Sequence, residues 1–227
     1  MNVLELFSGS RSIGKVAEKR GHKVFSSDFV DFPDTDYVCD ILEFDYNNVP
    51  FTPDVLWASP PCTAFSVACI GKKWVKGEPF TPKTKDAEEG IKILEKTLEI
   101  IKHYTKLNPS LKWYLENPRG KMRKAPHWND VDLKNIRRTI SYCKYGDVRM
   151  KPTDIWTNDA SWEPKPMCKN YKYDRKGNVI DKHCHHEASP RSSQQGGTQK
   201  LRGNFERSKI PPTLCLEIIK SSETKTK

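Results

Sequence analysis

The sequence predicts an α/β chain in which a mostly parallel sheet carries helices on both faces. Three observations predict it. Short apolar runs of strand length recur through the first 160 residues, a Gly-bearing turn opens a helix directly after the first run, and a stretch of helical period separates the fourth run from the fifth. Strands that alternate with helices pair in parallel, because a crossover helix returns the chain to the same end of the sheet.

Taken in order, residues 3–7 form a first apolar strand, and Gly9 to Gly14 a turn opening a helix that runs to about Arg20 and is ended by Gly21. Residues 22–27 give a second strand finishing at Asp28, and residues 37–39 a third finishing at Asp40. Asp54-Val55-Leu56-Trp57-Ala58 contains the fourth strand, residues 55–58. A basic loop punctuated by Gly and Pro follows to Lys85, then an amphipathic helix in which Ile91, Leu94, Leu98 and Ile101 recur at helical spacing. Residues 111–115 give a fifth strand ending at Glu116. Residues 139–143 and 154–157 give two more, joined through Tyr145-Gly146-Asp147. Leu214 and Ile218 mark a short final helix after Pro211-Pro212. Between Trp162 and Arg207 no apolar period survives, so the organisation reads as a core over 1–160, a small basic insertion over 161–207, and a C-terminal helix with a polar tail over 208–227.

A chain of 227 residues suits one domain burying roughly 70% of its unfolded surface. No stretch approaches the ~18 apolar residues of a membrane span, and the N-terminus enters a strand without a basic-then-apolar leader, so a soluble, intracellular and cytoplasmic protein is expected, with no membrane partner. Seven cysteines scattered through such a chain point to thiols rather than a disulfide scaffold. The net charge of +10 is localised: residues 71–85 hold five Lys against one acid, and residues 161–210 hold eleven Lys or Arg against five acids. Solvated loops explain one such run. Two runs flanking the same central segment suit a polyanion.

Ser59-Pro60-Pro61-Cys62 follows the fourth strand directly. A cysteine delivered there by a Pro-Pro turn stands where open α/β sheets place their chemistry. Burial is the ordinary fate of a free cysteine, but it does not account for two prolines stiffening the turn. With Leu4-Glu5-Leu6-Phe7-Ser8-Gly9-Ser10 before it and Trp113-Tyr114-Leu115-Glu116-Asn117-Pro118 after it, the segment resembles the DNA cytosine-5 methyltransferase family in order, spacing and wording across nearly the whole chain.

The resemblance implies a Rossmann-like S-adenosylmethionine-dependent fold, a monomer acting on double-stranded DNA, and roles residue by residue. Cys62 is the implied nucleophile and Glu116 the group that holds the target cytosine. Phe7, Ser8, Gly9, Ser10 and Pro60 would lie along the cofactor. Asp28 suits a ribose diol because a carboxylate accepts two hydroxyl hydrogen bonds at once, Asp40 would receive the adenine amino group, and Ile41 would stack nearby. Arg11-Ser12 stands where the family has glycines. Asn117-Pro118 departs from its commoner Asn-Val, although compact bacteriophage-type members read Glu-Asn-Pro. The family's later Gln-Arg-Arg motif survives partly in residues 145–151, which places Arg149 and Lys151 as basic groups near the cytosine O2 or phosphate.

A flipped base needs a closing loop, and Lys72, Lys73 and Lys76 would meet phosphate there, with Trp74 filling the vacated space. Arg191 and Arg202 would reach the nucleic-acid backbone from the insertion. So short a polar unit commonly needs a metal, and Cys168, Cys184 and His186, with Cys143 from the core, form a candidate zinc set of S and N donors. The same chemistry on RNA or on a free deoxycytidine nucleotide stays open at this point, as does an inactive relative that only binds nucleic acid.

Overall fold

The structure is a computed structural model that describes residues 1–168, 201 and 203–224. Its centre is a seven-stranded sheet of β1 (Asn2–Leu6), β2 (Lys23–Asp28), β3 (Tyr37–Val38), β4 (Val55–Ala58), β5 (Lys112–Pro118), β6 (Ile136–Ser141) and β7 (Pro152–Thr157). The order is β3-β2-β1-β4-β5-β7-β6. The first five are parallel, and β7 runs antiparallel between β5 and β6. The helices are α1 (Ser12–Lys19), α2 (Ile70–Lys73), α3 (Lys85–Leu107), α4 (Gly203–Ser208) and α5 (Pro212–Glu223).

Because side chains alternate along a strand, each central strand feeds two cores. Val3, Val55, Trp57 and Tyr114 pack with Ile13 and Ala17 of α1 and with Leu214 and Ile218 of α5. Leu4, Leu6, Leu56, Ala58, Trp113 and Leu115 pack on the other face against Leu94, Leu98 and Ile101 of α3. Each fully buried aliphatic side chain contributes roughly 1.5–3 kcal/mol, so the period read from the sequence is also what holds α3 down. Thr84 caps that helix by accepting from the Ala87 amide. The C-terminal helix is locked to the core by polar contacts as well: Lys112 Nζ donates to the Ser221 carbonyl (2.9 Å) and lies 3.3 Å from Asp159, whose carboxylate also accepts from the Tyr114 hydroxyl.

Three elements differ from expectation. β5 runs on to Pro118, because Glu116, Asn117 and Pro118 pair with Ile155, Asp154 and Thr153 of β7. β6 begins at Ile136, its start hidden by Arg137 and Arg138, the kind of charged residues that edge strands carry. Residues 142–145 form a 3-10 turn and not the end of a strand. Past residue 160, Trp162 and Cys168 are both buried, and Trp162 packs with the α5 core. Among the described residues no helix is long and apolar enough to cross a membrane.

Candidate active site

The parallel strands converge at their carboxyl ends, and there the chain turns sharply after β4. Ser59 Oγ accepts from the Trp57 indole (2.7 Å), Pro60 is buried, and the Pro60 carbonyl accepts from the amide of the fully buried Asn117 (2.9 Å). The Asn117 side chain therefore pins the Pro-Pro turn to β5. Cys62, half-buried, opens the next turn by accepting from the Phe65 and Ser66 amides. The loop is clamped again at Gly120, whose backbone lies so close to Phe65 that a Cβ would sit 2.2 Å from the Phe65 carbonyl oxygen. Only glycine permits that approach.

Alternation sends Glu116 and Asn117 to opposite faces of β5. Glu116 is 5% exposed, and its Oε1 accepts from the Tyr142 hydroxyl (3.0 Å) with Lys151 Nζ 3.9 Å away. The same ammonium stands 4.5 Å from the centre of the Tyr142 ring. Burial, reinforced by the Glu116 charge, pushes the Tyr142 hydroxyl far up, so it stays protonated and donates. Burial also pushes the Cys62 thiol up, the Glu116 charge adds to this, and Lys151 works against both. Cys62, Glu116, Tyr142 and Lys151 thus form one electrostatic unit. Replacing Lys151 with Met is expected to move the alkaline rise of the pH–rate profile to higher pH, because the cation that stabilises the thiolate is gone. A midpoint that stays put or moves down in steady-state rates from pH 6 to 10 would contradict this.

Arg149, paired with Lys151 in the sequence reading, also stands over the Tyr142 ring, 5.6 Å from its centre, but its N–H groups turn to other partners. It is 4% exposed, its guanidinium is bound by Asp147, and it donates to the carbonyls of Arg207 (2.7 Å) and Lys209 (3.1 Å). It ties the 145–151 loop to the segment before α5, and Lys151 is the cation beside Glu116.

At the end of β1 the backbone is left-handed at Phe7 (φ 56°), Gly9 (φ 48°) and Arg11 (φ 52°). The resulting loop is tied to β2: the Ser8 amide donates to the Ser27 carbonyl, and the Gly9 amide to Asp28 Oδ2 (2.8 Å). Asp28 Oδ1 accepts from Val30 N, so this acid shapes the turn itself. Asp40 caps the 3-10 turn of Ile41–Glu43 through the Leu42 amide, and Ile41 is buried. Ser10 Oγ meets Ser12 Oγ at 2.8 Å, and Ser12 Oγ accepts from Ile210 N. Arg11 folds back onto Glu18 (2.7 Å), leaving the turn itself lined by small side chains. Ser8 Oγ is buried with no hydrogen-bond partner among the described residues. An orphan hydroxyl in a cradle of left-handed backbone, with carboxylates at the tips of the next two strands, fits a ligand bearing an amine and a diol.

Glu5 was not singled out in the sequence, although a charged residue within a buried strand was a visible signal. Its carboxylate accepts the Ile13 (3.1 Å) and Gly14 (2.8 Å) amides at the start of α1. Burial outweighs these bonds and raises its pKa from 4.5 to about 7. The folded chain therefore keeps a proton that the unfolded chain releases. This stability is fully present below about pH 4.5 and is lost as pH rises through 7, up to about 3 kcal/mol. Urea melts of wild type and Glu5→Gln at several pH values between 4.5 and 8 are expected to show this decline in wild type alone. Parallel slopes would refute it.

On the loop after Cys62, Lys72 and Lys76 are exposed, while Lys73 is paired with Asp86 at 2.9 Å. Trp74 does not fill space beside a base. It is 2% exposed, packs on Phe65 and Phe80, and donates to the Ala64 carbonyl, because its large apolar ring gains more in the core than at the surface. Arg191, Arg202, Cys184 and His186 lie outside the described residues. Cys143 and Cys168 are buried, and the Cys168 amide donates to Ser141 Oγ. Among the described residues no group of three or more His, Cys, Asp or Glu is placed to hold a metal, and two of the four residues of the candidate zinc set, Cys184 and His186, are not among them.

No family model matches the chain. A protein of Frog virus 3 (isolate Goorha), named as a probable DNA (cytosine-5)-methyltransferase, is 30% identical over 233 residues, covering 96% of this chain and 99% of that protein. Two solved structures also match. A mutant DNMT2 of Spodoptera frugiperda has 18% identity and a TM-score of 0.46, covering 72% of this chain and 52% of its own. The methyltransferase EhMeth of Entamoeba histolytica has 12% identity and a TM-score of 0.47, covering 74% of this chain and 56% of its own. The chain thus spans little more than half the length of these two. With its Pro-Pro-Cys turn, its buried glutamate and its Gly-bearing first turn at the ends of adjacent strands, and a relative 30% identical over 96% of this chain, the chain belongs to the DNA (cytosine-5)-methyltransferase family.

Proposed function

We propose that the chain transfers a methyl group from S-adenosylmethionine to C5 of cytosine in DNA, through a transient bond between Cys62 Sγ and C6 of the base. The observation that carries this reading is the convergence of Cys62 and Glu116 at the ends of β4 and β5, close enough that the carboxylate shifts the thiol's acidity. Phe7, Ser8, Gly9, Ser10, Asp28, Asp40, Ile41 and Pro60 would hold the cofactor, which would supply an electrophilic methyl group on sulfur.

Cytosine C5 is a poor carbon nucleophile until C6 is attacked. The Cys62 thiolate adds to C6 while Glu116 shares a proton with N3, where negative charge would otherwise collect. C5, now enamine-like, takes the methyl group as its bond to sulfur breaks, and the bonding pair stays with the departing thioether. Solvent takes the C5 proton, its electron pair re-forms the C5–C6 double bond as the bond from C6 to Cys62 breaks, Cys62 leaves as thiolate, and the proton at N3 returns to Glu116. Tyr142, by donating to Oε1 of Glu116, holds the carboxyl in one orientation and leaves Oε2 for the base. Lys151 favours the thiolate.

The base has to leave a duplex to reach Cys62. The exposed Lys72 and Lys76 suit phosphate contacts on the closing loop, and Lys73, Arg149, Lys151, Arg191 and Arg202 complete the proposed basic set, with Arg149 acting through the loop that it braces. RNA or a free deoxycytidine nucleotide is the second reading, favoured by the small size of the insertion. Incubation with tritiated S-adenosylmethionine and, separately, duplex DNA, RNA and dCMP, followed by base analysis, tests the proposal. Label in 5-methylcytosine of DNA is expected, and label confined to RNA or dCMP would replace the substrate.

A further inference from the structure

A third basic stretch is masked in the overall charge by acids elsewhere in the chain: residues 119–138 carry seven Lys or Arg against two Asp. The fold gathers part of it into a cleft on the antiparallel side of the sheet, lined by Arg123, Lys124, Trp128, Asn135, Arg137 and Trp156. Pro79, near the end of the loop that follows Cys62, forms one lip, so the cleft continues from the closing loop.

Its floor is rigid. The Trp128 and Trp156 indoles stack with centroids 4.4 Å apart and planes 9° from parallel, and Trp128 is tethered by its indole N–H to the Met122 carbonyl and through its own carbonyl to the Asn135 amide. Arg123 is clamped two-pronged by the buried Asp154 (2.6 and 2.9 Å), which fixes one wall. Lys124 and Arg137 are exposed and make no ion pair among the described residues. Two solvent-facing cations on a preformed cleft with a partly exposed indole match a phosphodiester chain carrying flat bases.

Position supports the same partner. Arg137 lies opposite Trp156, and Trp156 opposite Leu115, so Arg137 is two strand spacings, roughly 10 Å, from the residue before Glu116, on the sheet face against which Phe65 and Trp74 of the loop after Cys62 also pack. Measured along the axis of a duplex, that is about three base-pair steps.

We propose that this cleft holds the sugar-phosphate backbone of the nucleic-acid substrate a few nucleotides from the target cytosine, with Lys124 and Arg137 as its phosphate contacts. The inference rests on the proposed action on a nucleic acid. It gives the core a share in substrate binding independent of the 161–207 insertion.

The test is the double variant Lys124→Glu and Arg137→Glu, with Lys124→Arg and Arg137→Lys as the charge-preserving control. Affinity for a fluorescent 30-base-pair duplex is measured by anisotropy from 50 to 200 mM salt, with thermal melts to verify the fold and methyl transfer to the same duplex followed in parallel. The charge-reversed protein is expected to bind at least about tenfold more weakly, with a log–log salt slope shallower by about 2, one for each lost phosphate contact. The control should retain both values. If wild type methylates the duplex but the reversed variant keeps its affinity and slope, the cleft is overturned and the enzyme reading stands. If wild type methylates no nucleic acid but the variant still loses binding and slope, the cleft stands and the enzyme reading falls. Failure of wild type to bind any nucleic acid overturns both.

Discussion

Replacing Cys62 with alanine is expected to abolish methyl transfer, with a loss on the order of 10⁶, the scale on which removal of a catalytic nucleophile acts. No other described side chain can take its place, because the Cys62 thiol is the one delivered by the Pro60–Pro61 turn to within electrostatic reach of Glu116. The fold should survive. Cys62 is only half-buried, and the turn that carries it is held by the Pro60 carbonyl, the Cys62 carbonyl and the Phe65 carbonyl, all backbone groups that alanine retains. Wild type should form a stable adduct with DNA containing 5-fluorocytosine, since fluorine blocks the elimination step, and Cys62→Ala should form none. Adduct or turnover in the variant would remove Cys62 from the mechanism.

Glu116→Gln is expected to slow turnover by two to three decades while barely changing substrate binding. The amide keeps the shape and still accepts from Tyr142, but it has no acidic proton to share at N3. Losing one such contact in the transition state costs about 2.7–4 kcal/mol. A second readout moves the opposite way. The Glu116 charge raises the Cys62 pKa, so neutralising it should lower that pKa and speed iodoacetamide alkylation of Cys62 at fixed pH. Slower chemistry with a more reactive thiol is the expected signature. Unchanged single-turnover rates would place Glu116 outside the site, and slower alkylation would contradict the electrostatic coupling.

The parallel half of the sheet was legible in the sequence because its signals are local. A strand buried on both faces reads as a continuous apolar run, as residues 55–58 do, and a helix over a sheet shows its period, as Leu94, Leu98 and Ile101 do. Phe7, Asp28, Asp40 and Glu116 stood out by the same logic, since each lies at or just past the end of such a run, and Cys62 stood out as the residue that a Pro-Pro turn delivers after the fourth run. The antiparallel half was harder. Arg137 and Arg138 obscured the start of β6, and Glu116-Asn117-Pro118 reads as a turn until β7 is present to pair with it.

By itself, the sequence determined the alternation of strands and helices, the two basic windows and the residues at the strand tips, because those depend on neighbours within a few positions. Tertiary structure alone decided which groups meet. Tyr142 and Lys151 lie 26 and 35 residues beyond Glu116 and reach it only because the 142–151 loop folds back beside β5. Arg149, two residues from Lys151, is drawn to Asp147 and the 207–209 carbonyls instead, because a buried guanidinium needs partners for its N–H groups and those oxygens supply them. Trp74 went to the core for the complementary reason, a large ring with one N–H and an Ala64 carbonyl to receive it. The cleft of Arg137 and Trp128 likewise exists only once β6, β7 and the turns after β5 are assembled, since its two indoles come from positions 28 residues apart.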